Sequence, residues 1–184
     1  MTRVIRVPTP IVVQRLTRVM QIYGTDVFVH WSVFLIAALM LVNAKRRPLE
    51  TIVGLVCYMS VLFIHETGHL IAARRLGCEV FSMELYPIFG LVRHETPWSR
   101  FDHCVIAWAG VIAQAVVALP IMFWIELRGF THIGAVNAAL ALLGPFSLFV
   151  AAFNLLPLGG LDGAVAWGLI PEFFRRPAAS RRGR

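Results

Sequence analysis

Charge is what this chain has least of. Only 15% of its 184 residues are Asp, Glu, Lys or Arg, against 58% hydrophobic, whereas a soluble globular domain carries about a quarter charged residues. That scarcity excludes a soluble fold and makes the chain a membrane protein. Cysteine is also scarce. Cys57, Cys78 and Cys104 are odd in number and scattered, which excludes a disulfide framework and leaves apolar packing as their role. No composition shift, repeat or low-complexity linker divides the chain, so residues 1–184 read as one membrane-embedded unit with a basic N-terminal arm (1–26) and a basic tail (174–184). The net charge of +7 does not point to nucleic acid, because the basic residues fall in short clusters between apolar runs and not in one stripe. A P-loop and a G-x-S-x-G are both absent. Val42-Asn43-Ala44 has the look of a signal-peptide cleavage site, but the arm ahead of its apolar run is long for such a peptide and further spans follow.

A spanning helix needs about 20 mostly apolar residues. Four segments qualify or nearly so: Val27–Asn43, Thr51–Ala73, His103–Leu127 and Ile133–Phe153. The first is short and is expected to extend into the residues before it. Beyond the fourth, "NLLPLGGLDGAVAWGLI" stays apolar, but Pro157, Gly159, Gly160 and Gly163 prevent a regular helix. Broken backbone at membrane depth survives only where protein or a cavity satisfies it, so this stretch points to a site.

The expected architecture is therefore mainly α and polytopic, with about four transmembrane helices, the last broken near Pro157–Gly160. Between the second and third spans the period changes. Phe81, Met83 and Leu85 alternate with Ser82 and Glu84, and Pro87 to Gly90 supplies turn residues before Leu91 and Val92, which predicts a small β-hairpin.

Orientation follows from the basic residues. Arg3, Arg6, Arg15 and Arg18, then Arg74, Arg75, Arg93 and Arg100, then Arg175, Arg176, Arg181, Arg182 and Arg184 fall on one side; Lys45, Arg46, Arg47 and Arg128 fall on the other. Both termini are thus expected in the cytoplasm, with the ends of spans two and four that carry His65 and Asp162 on that same side.

The polar residues inside span two carry the chemistry. In "VLFIHETGHLIAARR", His65 and His69 are four apart and share one helix face. H-E-x-x-H is a zinc clamp in which two neutral imidazoles bind the metal and the intervening glutamate, Glu66, is placed to take a proton from water. Its chance occurrence in a chain this long is on the order of one in a few hundred. An ionisable side chain at the centre of a membrane helix costs about 2.5–3.5 kcal/mol, and metal coordination compensates that cost. A catalytic zinc needs a third protein ligand. Asp162, the one carboxylate between Glu126 and Glu172, is the candidate; its other reading is an N-cap for the segment that follows.

At these residues the chain resembles the site-2 protease family of intramembrane zinc metalloproteases. "HETGH" is similar to the family's active-site helix, and Asn154, Pro157, Asp162 and Gly163 match N-x-x-P-x-x-x-x-D-G, the segment that supplies the third ligand there. "VHWSVFLIAAL", "LGCEVFSMELYPIFGLVRHE" and "AGVIAQAVVAL" resemble the family's first span, hairpin and third helix, so the likeness runs from about Leu16 to Glu172. Where family members commonly read A-G-P-x-x-N, this chain has Ala109, Gly110, Val111, Ile112, Ala113 and Gln114. An inserted PDZ domain and a C-terminal regulatory domain are not expected.

The resemblance implies one Zn²⁺ held by His65, His69 and Asp162, with Glu66 as catalytic base. It implies single-span membrane proteins as substrates, in a multi-pass protein of a bacterial-type plasma membrane. Gln114 and Asn154, with Phe81 and Met83 on the hairpin, are the substrate-binding candidates. The rival is a noncatalytic membrane protein, either a metal-binding transporter or a protease-like scaffold. Too few spans for the usual inverted repeats, and a glutamate between the two histidines, argue against it.

Overall fold

The computed structural model describes residues 16–44 and 47–171. The arginines of the N-terminal arm before Leu16, Lys45, Arg46 and the arginines of the tail lie outside these residues.

Three helices among the described residues are long and apolar enough to cross a membrane. Helix α2, Pro48–Arg75, begins with proline in its first turn, where a missing N–H costs nothing, and carries Glu50 in the first turn and Arg74 and Arg75 in the last. Those charges complement the helix dipole at both ends. Helix α3, Arg100–Arg128, is capped by Ser99, whose hydroxyl accepts from the Asp102 amide at 3.0 Å. Helix α4, Gly134–Asn154, runs through a π-helical turn at Leu142–Phe146. Pro145 lies in that turn; it cannot donate to the preceding turn, which loosens the ladder there. After Asn154 the backbone is irregular until the short helix α5, Gly163–Ala166, with Gly160 at φ +92° supplying the reversal. The break expected near Pro157–Gly160 is present.

The first apolar run folds differently from its expectation. It does not lengthen the helix towards the N-terminus. Helix α1 starts only at Trp31 and ends at Asn43, and His30 caps it by accepting from the Ser32 amide. Ahead of it lie strands β1, Leu16–Ile22, and β2, Thr25–His30. They are joined through Tyr23 and Gly24, both at positive φ, the conformation that a two-residue hairpin loop demands. Thr25 and Val27 are buried while Asp26 and Phe28 are half-exposed, a period of two that continues the β-branched pattern and competes with helix.

The expected hairpin forms as β3, Val80–Leu85, and β4, Gly90–His94, but it is half of a larger sheet. The order is β1-β2-β3-β4, with β2 and β3 parallel and the other two pairs antiparallel. The sheet packs on the C-terminal half of α2. Val27, Val80, Met83 and Leu85 meet Leu62, Leu70 and Ala73 of α2 and Ile106 of α3 in one buried cluster. All three cysteines are buried, and none is in a disulfide.

Gly68 lets helices α2 and α3 approach closely. A Cβ at that position would fall inside the contact radius of the Ala109 carbonyl and stand 2.9 Å from the Ala113 side chain. Gly68→Val is therefore expected to force the helices apart and lower stability by about 1–3 kcal/mol, the usual cost of overpacking. A fall in the thermal unfolding midpoint in detergent checks this; an unchanged midpoint refutes the close-contact account.

Candidate active site

One turn apart on α2, the two imidazoles of the H-E-x-x-H pattern meet edge to face with centroids 4.7 Å apart. Their Nε2 atoms are 3.1 Å apart, and both rings are buried. Asp162 arrives from the broken segment after α4. Its Oδ2 lies 2.9 Å from His65 Nε2 and 3.3 Å from His69 Nε2. These three residues alone form a metal-ligand group among the described residues.

Packing holds the broken segment in place. Trp108 of α3 donates its indole N–H to the Ala166 carbonyl at 2.9 Å, and Trp167 donates to the Leu155 carbonyl at 2.6 Å. The two indoles stack edge to face at 5.5 Å, and the Cys104 thiol reaches the Val165 carbonyl at 3.2 Å. Asp162 sits at the cap position of α5, yet its carboxylate makes no capping bond. The side chain turns to the histidines instead, with only its backbone carbonyl serving the helix by accepting from Val165 and Ala166.

The donor set fits a cation. His69 Nδ1 lies 2.7 Å from the Ile106 carbonyl, which can only accept, so Nδ1 carries the proton and Nε2 of the neutral ring offers a lone pair. Asp162 Oδ2 is buried with no hydrogen-bond donor, although it lies close to two ring nitrogens. Three acceptor atoms facing one another in this way need a shared cation, and a metal ion held by all three meets that need. Ligands about 2.0–2.1 Å from a tetrahedral zinc stand about 3.3–3.4 Å apart, close to the observed spacings.

Gly110 of α3 lets the helix pass the pair. A Cβ there would sit 2.6 Å from His69 Nε2 and 2.8 Å from His65 Cε1.

Glu66 is buried and lines a cavity of about 700 Å³ together with His65, His69 and Asp162. Gly90, Leu91 and Val92 of β4 wall one side, and Phe146, Phe149 and Phe153 of α4 wall another. His94 and His103 also face this space. Outside the helices, burial and the hydrogen bond to Glu84 push the Tyr86 phenol above its ordinary range. The same bond network places Arg93 on Glu84 at 2.6 Å, fastening β4 to β3.

The substrate-binding candidates fall in different places. Asn154 lines the cavity, with its amide N–H donating to the Val150 carbonyl at 3.1 Å. Gln114 does not line it; the side chain is fully buried against His65. Met83 is fully buried in the sheet–helix cluster, and Phe81 is exposed and does not line the cavity. Neither of those two positions borders the cavity, for a topological reason. β3 is paired on both sides, whereas β4 is an edge strand and borders the cavity. Sequence reasoning missed Gly90, Gly110 and the two tryptophans. The glycine closing the hairpin turn, in "PIFG", was the one available signal.

No family model matches the chain. A protein of Synechocystis sp. (strain ATCC 27184 / PCC 6803 / Kazusa) named "Putative zinc metalloprotease sll0528" is 32% identical over 166 residues, covering 79% of this chain and 41% of the relative. The chain thus spans about two fifths of that protein's length. Among solved structures, the site-2 protease from Methanocaldococcus jannaschii superposes with a TM-score of 0.67 at 17% identity, over 86% of this chain and 72% of that one. The class defined by fold and relative is a multi-pass membrane protein of the zinc metalloprotease type. With both motifs at their spacing, the chain has the fold of the site-2 protease and resembles a zinc metalloprotease in sequence.

Metal binding tests the cluster directly. Asp162→Ala is expected to weaken zinc binding by at least about 100-fold, since an outer-shell partner alone is worth 10–100-fold. Zinc content after dialysis against a chelator measures it. Full zinc retention in that variant would remove Asp162 from the ligand set.

Proposed function

We propose that the chain is an intramembrane zinc metalloprotease that hydrolyses peptide bonds within or near the transmembrane segments of single-span membrane proteins. The observation that carries this reading is the convergence of His65, His69 and Asp162 beside Glu66, in a cavity bordered by a strand edge.

His65, His69 and Asp162 would hold the metal. A zinc ion there supplies the Lewis acidity that polarises a carbonyl and makes water more acidic. Glu66 takes a proton from water as its oxygen attacks the scissile carbonyl carbon. The carboxyl then returns that proton to the leaving amine, acting in turn as base and acid. Water reaches the site from the C-terminal end of α2, ten residues beyond His65, or roughly 15 Å along the helix. In this reading that end is cytoplasmic, as are both termini, and the membrane is a bacterial-type plasma membrane.

A transmembrane substrate hides its peptide bonds in its own helix, so it must unwind before cleavage. The free edge of β4 offers its backbone to the unwound segment as a neighbouring strand, with the apolar wall of α4 opposite. A second apolar cavity of about 640 Å³ between α1 and α2 shares Tyr58 and Ile88 with the first. It gives the substrate an approach from the lipid side.

Cleavage of candidate single-span proteins on coexpression tests the proposal. Glu66→Gln is expected to lose about 10²–10⁴-fold in rate, the range for a positioned acid–base group, while keeping its zinc. Equal cleavage by parent and variant would sink the mechanism. Metal uptake without cleavage would support a transporter.

A further inference from the structure

Gln114 is a fully buried amide in the middle of an apolar helix, and only half of it is used. Its Oε1 lies 3.0 Å from His65 Nδ1, while its Nε2 has no partner. Packing does not explain such a residue, because an apolar side chain of the same length would fill the space without stranding an N–H₂ group.

The orientation of the amide has a chemical consequence. With oxygen facing the ring, His65 Nδ1 must carry the proton, and the Nε2 lone pair is free to face Asp162 and His69. With nitrogen facing the ring, the proton would move to Nε2 and point at the other two ligand atoms. Only the first arrangement leaves His65 able to bind a metal. His69 receives the same service from the Ile106 carbonyl. Thus α3 presents one oxygen to each histidine, a backbone carbonyl for one and a side-chain amide for the other.

We propose that Gln114 is a positioning residue for the metal centre: its amide oxygen fixes the tautomer and ring orientation of His65. The inference rests on the reading of His65 as a ligand. It gives this side chain a role other than substrate contact, consistent with its place behind the imidazole and off the cavity wall. Metal-bound histidines depend on such partners, and their loss costs 10–100-fold in metal affinity.

The test uses the full chain in detergent, with zinc affinity read by competition against a chromophoric chelator. Gln114→Met removes the acceptor at nearly constant length, Gln114→Leu repeats the removal with another shape, and Gln114→Glu keeps an oxygen at the same reach. The expected result is a 10–100-fold loss of zinc affinity in the Met and Leu variants and a value within about threefold of the parent for Glu. Thermal unfolding of the zinc-free Met and Leu variants is expected close to the parent midpoint, because loss of the orphaned N–H₂ offsets loss of the acceptor for His65 Nδ1.

Parent-like zinc affinity in a folded Met or Leu variant overturns the proposal. Equal weakening in the Glu and Met variants does so too, since that pattern marks packing. Failure of both apolar variants to fold overturns it as well, by making the amide a structural requirement. The readout is independent of cleavage. A parent that binds zinc and cuts nothing defeats the proteolytic reading while leaving this one standing.

Discussion

Two imidazoles and two carboxylates inside an apolar helical bundle impose the constraint on which the rest of the structure depends. Inside a membrane helix bundle such groups are costly, so their polar atoms need partners in the protein, in a bound ion or in water admitted through the cavity. The arrangement meets this by dividing the work. Each histidine turns Nδ1 to an oxygen of α3 and its Nε2 to the common point that Asp162 also faces. Contact between α2 and α3 is tight because it must be. Gly68 lets the Ala109 carbonyl approach and Gly110 leaves room for the rings, and without that proximity Ile106 and Gln114 could not reach the histidines.

The same constraint accounts for the irregular end of α4. Asp162 has to enter from outside the α2–α3 pair at a fixed depth, which a continuing helix would not allow. Breaking the helix frees backbone carbonyls. Side chains with polar tips and apolar bodies satisfy several of them, with the indoles of Trp108 and Trp167 taking the carbonyls of Ala166 and Leu155. Tryptophan suits boundary anchoring or packing, and these two pack. They hold the strand of backbone that delivers a ligand.

Much of this was legible in the residues. The metal pair, the glutamate between them, three of the long apolar segments and the break after Asn154 are local patterns, and each is written within about thirty residues. The hairpin was legible for the same reason, through alternation and a turn. What escaped was non-local. Val27 belongs by hydropathy to the apolar run that follows it, but it pairs with Met20 in a hairpin and with Met83 across two helices, and the second of these pairings is non-local. Phe81 and Met83 alternate with polar neighbours as a surface hairpin should, but β3 is paired on both sides, and the cavity is bordered by β4 instead. Gln114 reads as a helix-packing amide until the position of His65, forty-nine residues earlier, is known.

The edge of β4 and the metal cluster make one physical argument. An unwound membrane segment exposes amides and carbonyls that lipid cannot solvate, so a site that cuts such a segment must also supply hydrogen bonds to the backbone beside the cut. The sheet places its free strand along the cavity at Gly90, whose missing side chain lets the backbone lie directly against the Glu66 carboxyl. Any residue with a Cβ there would have to push either the strand or Glu66 aside. Strand and carboxyl are therefore fixed relative to each other by contact. In the proposed mechanism, a peptide laid along β4 would lie beside the group that moves the proton.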